Sequence, residues 1–141
     1  MQTFFVRTKF GFRTDVLLRT VYSAIENGVL VVGPSFVAKS LNISKSTAQK
    51  MLVELSELGY GVYVPKKGLI LNDAGRREAV KAVRNHRLIE CMLEDIGVEK
   101  VCSEAEKIEM VAGEELMKAL EVKYGNRKRC PCGKRIPEVV P

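Results

Sequence analysis

The only histidine, four cysteines and a run of carboxylates stand in an arrangement that suits a divalent metal ion. Glu90 follows His86 at i+4, so on a helix an imidazole and a carboxylate face a common point. Further along, Cys102, Glu106, Glu109 and Met110 fall at i, i+4, i+7 and i+8, which puts them on one face of a second helix. Imidazole, thiolate and carboxylate together suit zinc, iron(II), cobalt or manganese, whereas calcium and magnesium prefer oxygen alone. His86 and Glu90 from one helix, with Cys102 and Glu106 from the other, are the expected ligand set. The same pattern also fits a hydrogen-bonded core histidine with solvated glutamates.

Cys130-Pro131-Cys132-Gly133 has a shorter spacing than the usual Cys-x-x-Cys knuckle. Three uses stay open for it: a metal ligand pair, a redox couple, or a structural turn, with the turn as the default. Cys91 reads as ordinary packing.

A second group of residues suits phosphate and base edges. Ser44, Lys45, Ser46, Thr47, Gln49 and Lys50 crowd the start of one expected helix, with Ser35 on the helix before it and Lys66 and Lys67 in a Pro-Lys-Lys-Gly turn. Hydroxyls and lysines engage phosphates, and a glutamine pairs with an adenine edge. A solvated face with Ser44 as a simple cap is the plainer alternative.

The elements that must carry these groups are legible in the periodicity. Leu18, Val21, Tyr22 and Ile25 predict a helix over residues 15–27 with Thr14 as its cap. A short helix over 35–41 and another over 44–58 follow, the latter with Ala48, Met51, Leu52, Leu55 and Leu58 on one face. Strands are expected over 60–64 and 69–71, joined by the lysine turn. Helix, helix–turn–helix and hairpin in that order predict a winged helix–turn–helix that binds double-stranded DNA through the second helix of the pair and a basic wing. Behind it, a long helix over 73–96 carries Ala82, His86, Ile89, Leu93 and Ile96 inward. Helices over 103–111 and 113–123 follow, the last with Leu116, Ala119 and Leu120 inward. The expected fold is mainly α, with a DNA-binding domain over 1–72 and an all-helical domain over 73–141. The first residues interleave Phe4, Phe5, Phe10 and Phe12 with Arg7, Lys9 and Arg13, and the aromatic count favours packing over a DNA arm.

Composition agrees with this division. The 141 residues are 46% hydrophobic and 28% charged, which fits one or two small globular domains and excludes disorder. Net charge is +6, unevenly spread: 14 Lys/Arg against 6 Asp/Glu in residues 1–89, 3 against 10 in 90–121, and 6 against 1 in 122–141. A basic front favours a polyanion, and a carboxylate-rich middle favours cations. The chain shows no apolar run of membrane-spanning length and no signal-peptide layout, so a cytoplasmic location with no membrane partner is expected. Reduced thiols fit that compartment. No phosphate-cradling glycine loop or nucleophile motif is present to suggest an enzyme.

With these residues in view, the stretches LLRTVYSAIENG, LNDAGRREA, VRNHRLIECMLEDIGV, VCSEAEKIEMV and CPCGKRIP resemble the metal-dependent repressors of the diphtheria-toxin-repressor, iron-dependent-regulator and manganese-transport-regulator family, over about 120 residues. The resemblance implies a homodimeric regulator of a palindromic operator, whose second domain supplies dimer contacts and metal ligands. It resembles the shorter members, without a C-terminal accessory domain. His86 and Glu90 match two positions of one family metal site, and Cys102 replaces the histidine at its third. At the other site Glu106 and Glu109 are kept, while Val16 and Met110 stand where relatives carry ligands, and Arg19 is placed to pair with Glu106 or Glu109 instead. Cys132 stands where relatives commonly carry a histidine. Cysteine and histidine favour zinc or iron(II), with manganese possible. The departures leave open a regulator of the same fold that has lost its metal response.

Overall fold

The computed structural model describes residues 6–139, which form two compact units that divide after Ala79. The expected Phe4 and Phe5 packing lies outside the described residues. The expected domain division falls at residue 72, and the division by contacts falls after Ala79, inside a helix.

The first unit contains α1 (Thr14–Glu26), α2 (Pro34–Leu41), α3 (Lys45–Glu57), β1 (Gly61–Val64) and β2 (Gly68–Leu71). Leu17, Leu18 and Val21 of α1, Val37 of α2 and Met51, Leu52 and Leu55 of α3 meet in one apolar core. Their side chains recur at three- and four-residue intervals, so each helix buries one stripe. Pro34 opens α2 without forfeiting a backbone bond, and Asn42 closes it in the left-handed region at φ 56°. The hairpin is antiparallel, with Gly61 opposite Leu71 and Val64 opposite Gly68. Val32 bridges to Leu69 and adds a short third edge. Gly68 sits at φ +146°, and a side chain there would run into the Val32 carbonyl, so glycine is required.

Thr14 is not the cap of α1. Arg13 occupies that position and pairs with Asp15 at 2.7 Å, while the Thr14 hydroxyl donates to the Val6 carbonyl at 3.1 Å. The preceding segment folds back on itself, with Arg7 bridged to Arg13, and so brings that carbonyl within reach. Phe12 packs on the core, but Phe10 is exposed.

The second unit is built on α4 (Asp73–Asp95) from Val80 onward, α5 (Val101–Glu109) and α6 (Glu114–Tyr124). Asn72 caps α4 by accepting from the Gly75 amide at 2.8 Å. Leu88, Ile89 and Leu93 of α4 pack with Ala105, Met117, Leu120, Tyr124 and Ile136. Ile96 does not join this stripe and is exposed: α4 ends at Asp95, and Gly97 at φ +91° turns the chain away. Ala119 is likewise exposed, because the buried face of α6 is centred on Met117, Leu120 and Tyr124.

The segment after α6 is a pinned loop. Its backbone closes through Cys130 N–H to the Lys134 carbonyl at 2.9 Å and Ile136 N–H to the Lys128 carbonyl at 2.8 Å. Arg84 of α4 donates to the carbonyls of Gly125 at 2.8 Å and Pro137 at 3.0 Å, and grips Glu121 at 2.6 and 2.7 Å. Arg87 donates to the Arg135 carbonyl. Among the described residues no helix is long and apolar enough to cross a membrane.

Candidate metal centre and nucleic-acid interface

His86 and Glu90 lie one turn apart on the buried face of α4, at 8% and 3% exposure. The His86 ring spans two carboxylates, with Nε2 3.3 Å from Glu90 Oε2 and Nδ1 2.8 Å from Glu109 Oε1. Glu109, at 6% exposure, reaches in from the end of α5. The pinned loop completes the group: Cys132 Sγ lies 3.6 Å from Glu90 Oε2, and one ligand atom each of Glu90, Cys130 and Cys132 lie within 4.8 Å of one another. From the start of α5, the Cys102 sulfur meets that of Cys132.

Burial alone would raise the Glu90 carboxyl, but hydrogen bonding to His86, then the His86 charge, the Cys130 thiol and Arg87 outweigh it and hold the group below its ordinary value. The Cys130 thiol is pushed up, first by burial and then by the neighbouring Glu90 carboxylate.

This donor set fits a transition metal on its own chemistry. When His86 is neutral and gives its one N–H to Glu109, its Nε2 lone pair faces a carboxylate oxygen at 3.3 Å. Two acceptors at that distance repel unless a proton or a cation lies between them. Thiols from the loop converge on the same carboxylate, and nitrogen, oxygen and sulfur donors together are what zinc and iron(II) prefer.

The sequence-derived ligands divide. His86 and Glu90 meet, Cys102 reaches the group through the Cys132 sulfur, and Glu109 joins it through the far ring nitrogen of His86. Glu106 is exposed on α5, and among the described residues no hydrogen bond or ion pair ties it to His86, Glu90 or Cys132. Val16 is buried on α1 and brings no donor atom. Cys130 and Cys132 form the expected turn, closed by Gly133 N–H to the Cys130 carbonyl at 2.9 Å, and also stand inside the group, for which their Cys-x-Cys spacing was the available signal.

On the first unit, Ser44 caps α3 by accepting from the Thr47 amide at 3.1 Å and donates its own hydroxyl to Thr47 Oγ1 at 2.9 Å. Lys45, Ser46, Gln49 and Lys50 are exposed beside it, Thr47 is half-buried, and Ser35 is exposed on α2. Lys66 and Lys67 are exposed at the hairpin tip, with Lys66 in the left-handed region at φ 65°. None of these four lysines forms an ion pair among the described residues. The acids of α3 lie in its other half, where the Glu54 carboxylate accepts from the Lys9 amide at 3.1 and 3.2 Å. The start of α3 and the hairpin tip are thus both uncompensated cations, as a phosphate-contacting surface requires.

Two family models match the chain in sequence order. Residues 9–69 match the iron dependent repressor N-terminal DNA binding domain, and residues 72–138 match the iron dependent repressor metal binding and dimerisation domain. The chain is 31% identical over 127 residues to the diphtheria toxin repressor of Corynebacterium diphtheriae, covering 88% of this chain and 56% of that protein. It is 32% identical over 130 residues to the iron-dependent repressor IdeR of Mycobacterium tuberculosis, covering 90% and 56%. Among solved structures, a manganese-dependent transcriptional repressor in complex with manganese superposes with a TM-score of 0.77 at 31% identity, over 88% of this chain and 58% of that one. The chain spans about half the length of the curated relatives it matches.

Proposed function

The chain belongs to the iron-dependent repressor family, and from that premise we propose that it is a metal-dependent transcriptional regulator, binding a palindromic operator as a homodimer when a divalent transition metal is bound. Its role is binding and not catalysis. The observation that carries this reading is a series of contacts that links three separate segments, His86 to Glu90, Glu90 to Cys132 and Cys132 to Cys102. These four would hold the ion, with Cys130 beside Glu90 as a further donor and Glu109 orienting the imidazole. Sulfur and nitrogen donors favour zinc or iron(II), with manganese the weaker candidate.

Bound metal supplies a cross-link between α4, α5 and the C-terminal loop. A cross-link of that kind selects one arrangement of the domain, and it raises DNA affinity only to the extent that the ion binds the DNA-competent arrangement more tightly. DNA is read by the start of α3, through Lys45, Ser46, Thr47, Gln49 and Lys50, with Ser44 holding the turn. Ser35, Lys66 and Lys67 contact phosphates.

The test is selection of duplexes from a random library by the reduced chain, with zinc, with iron(II), with manganese and with a chelator. Enrichment of an inverted repeat only in the metal arms is the expected result. Equal enrichment with chelator would leave the second reading, a metal-independent regulator of the same fold, which is favoured by the buried Val16 offering no donor atom. Absence of enrichment in every arm would remove DNA from the function.

A further inference from the structure

Cys102 and Cys132 are both exposed, belong to segments 30 residues apart in sequence, and meet sulfur to sulfur. Their Cα atoms stand 7.6 Å apart, beyond the roughly 4.4–6.8 Å that disulfides usually span. A thiol pair so placed is close enough to react and too widely set to stay bonded without the loop drawing toward α5 by about 1 Å. The remaining cysteines, Cys91 and Cys130, are buried. The molecule therefore divides its thiols into an exposed, touching pair and two shielded ones.

We propose that Cys102 and Cys132 are a peroxide-oxidisable pair, and that their disulfide disables the metal centre. In the first step one thiolate attacks hydrogen peroxide, an S–O bond forms, the O–O bond breaks, and the sulfenic acid is left with release of water after proton uptake. In the second, the other thiol attacks that sulfur, the S–S bond forms, and the S–O bond breaks with loss of a second water. Two thiols lose two electrons in all, and one peroxide becomes two waters. The bond removes two sulfur donors at once and shifts the loop that carries Cys130 beside Glu90. The loss of metal rests on the metal reading above; formation of the bond does not.

The experiment uses the full chain, reduced, in metal-free and zinc-loaded portions, treated with one equivalent of hydrogen peroxide. Thiols are counted after denaturation, the linked peptides are identified by mass spectrometry, and released zinc is read with a chromogenic chelator. The expected result is a fall from four thiols to two, a Cys102–Cys132 linked peptide, free Cys91 and Cys130, and recovery on reduction. In the zinc-loaded portion, zinc appears in step with the thiol loss. Cys102→Ser and Cys132→Ser, each checked by circular dichroism, abolish the link. A Cys130–Cys132 link, or sulfinic acid with no link, overturns the proposal. A Cys102–Cys132 link with zinc retained overturns its second half. If zinc never binds, the metal reading fails while the thiol count still decides the pair.

Discussion

Nδ1 of His86 lies 2.8 Å from Oε1 of Glu109, across 23 residues of sequence, while the other ring nitrogen faces Glu90. A carboxylate on one nitrogen fixes the tautomer and aims the other, the usual support for a metal-binding imidazole. Glu109→Gln keeps the shape but weakens that hold. Zinc affinity is expected to fall by about 10- to 100-fold with an unchanged fold, measured by competition with a chelator of known affinity. An unchanged affinity would leave Glu109 without a part in aiming the ring.

Proton release gives a second check. The Cys130 thiol is raised by burial and by Glu90, so at neutral pH it is protonated and must lose its proton to act as a donor. Each thiol deprotonated on binding makes the affinity fall by about tenfold per pH unit of acidification below its pKa. Zinc affinity is therefore expected to rise from pH 6 to pH 8, with calorimetric heats that depend on the ionisation heat of the buffer. Heats independent of the buffer would show that no thiol proton leaves on binding.

The hairpin tip makes a separate prediction. Replacing Lys66 and Lys67 by alanine is expected to lower affinity for every duplex by a similar factor and to reduce the slope of log affinity against log salt by about 2. A loss confined to one sequence would assign the tip to base reading instead.

Arg84 ties α4 to α6 and to the last turn of the chain through four hydrogen bonds. Arg84→Ala is expected to cost about 2 kcal/mol in urea denaturation, the range for hydrogen bonds to a charged group, because the freed Glu121 remains partly solvated. Zinc affinity should fall with it, since the loop bearing Cys130 and Cys132 loses its anchor. A destabilised chain with full zinc affinity would show that the loop holds its place by other contacts.

Much of this molecule follows from local rules. The serine at position 44 announces α3, the valine and leucine spacing sets the core of the first unit, and Pro-Lys-Lys-Gly sets the hairpin tip. The i, i+4 relation of His86 and Glu90 is enough by itself to put both on one face of α4. Cys102 was expected as a partner of that pair, but the contact with Cys132 was not legible, because it comes from far away: Cys132 reaches Glu90 across 42 residues, and its path is set by arginines of α4 gripping loop carbonyls. Glu106 and Glu109 looked alike by type and spacing; one is exposed and the other buried, since only the last turn of α5 meets His86. Ile96 satisfied the helical period, yet the helix stops one residue earlier.

The arginine clasp on the C-terminal loop bears on how sequences of this kind can drift. Arg84 and Arg87 hold the loop by the main-chain oxygens of positions 125, 135 and 137, and an oxygen of that sort is offered by whatever residue stands there. Side chains at Arg135 and Pro137 are therefore free to change without loosening the grip. Length is not. One residue inserted between Cys132 and Arg135 moves every downstream carbonyl out of step with the two arginines, and with it the seat of both loop cysteines, so the segment should tolerate substitution far better than insertion or deletion.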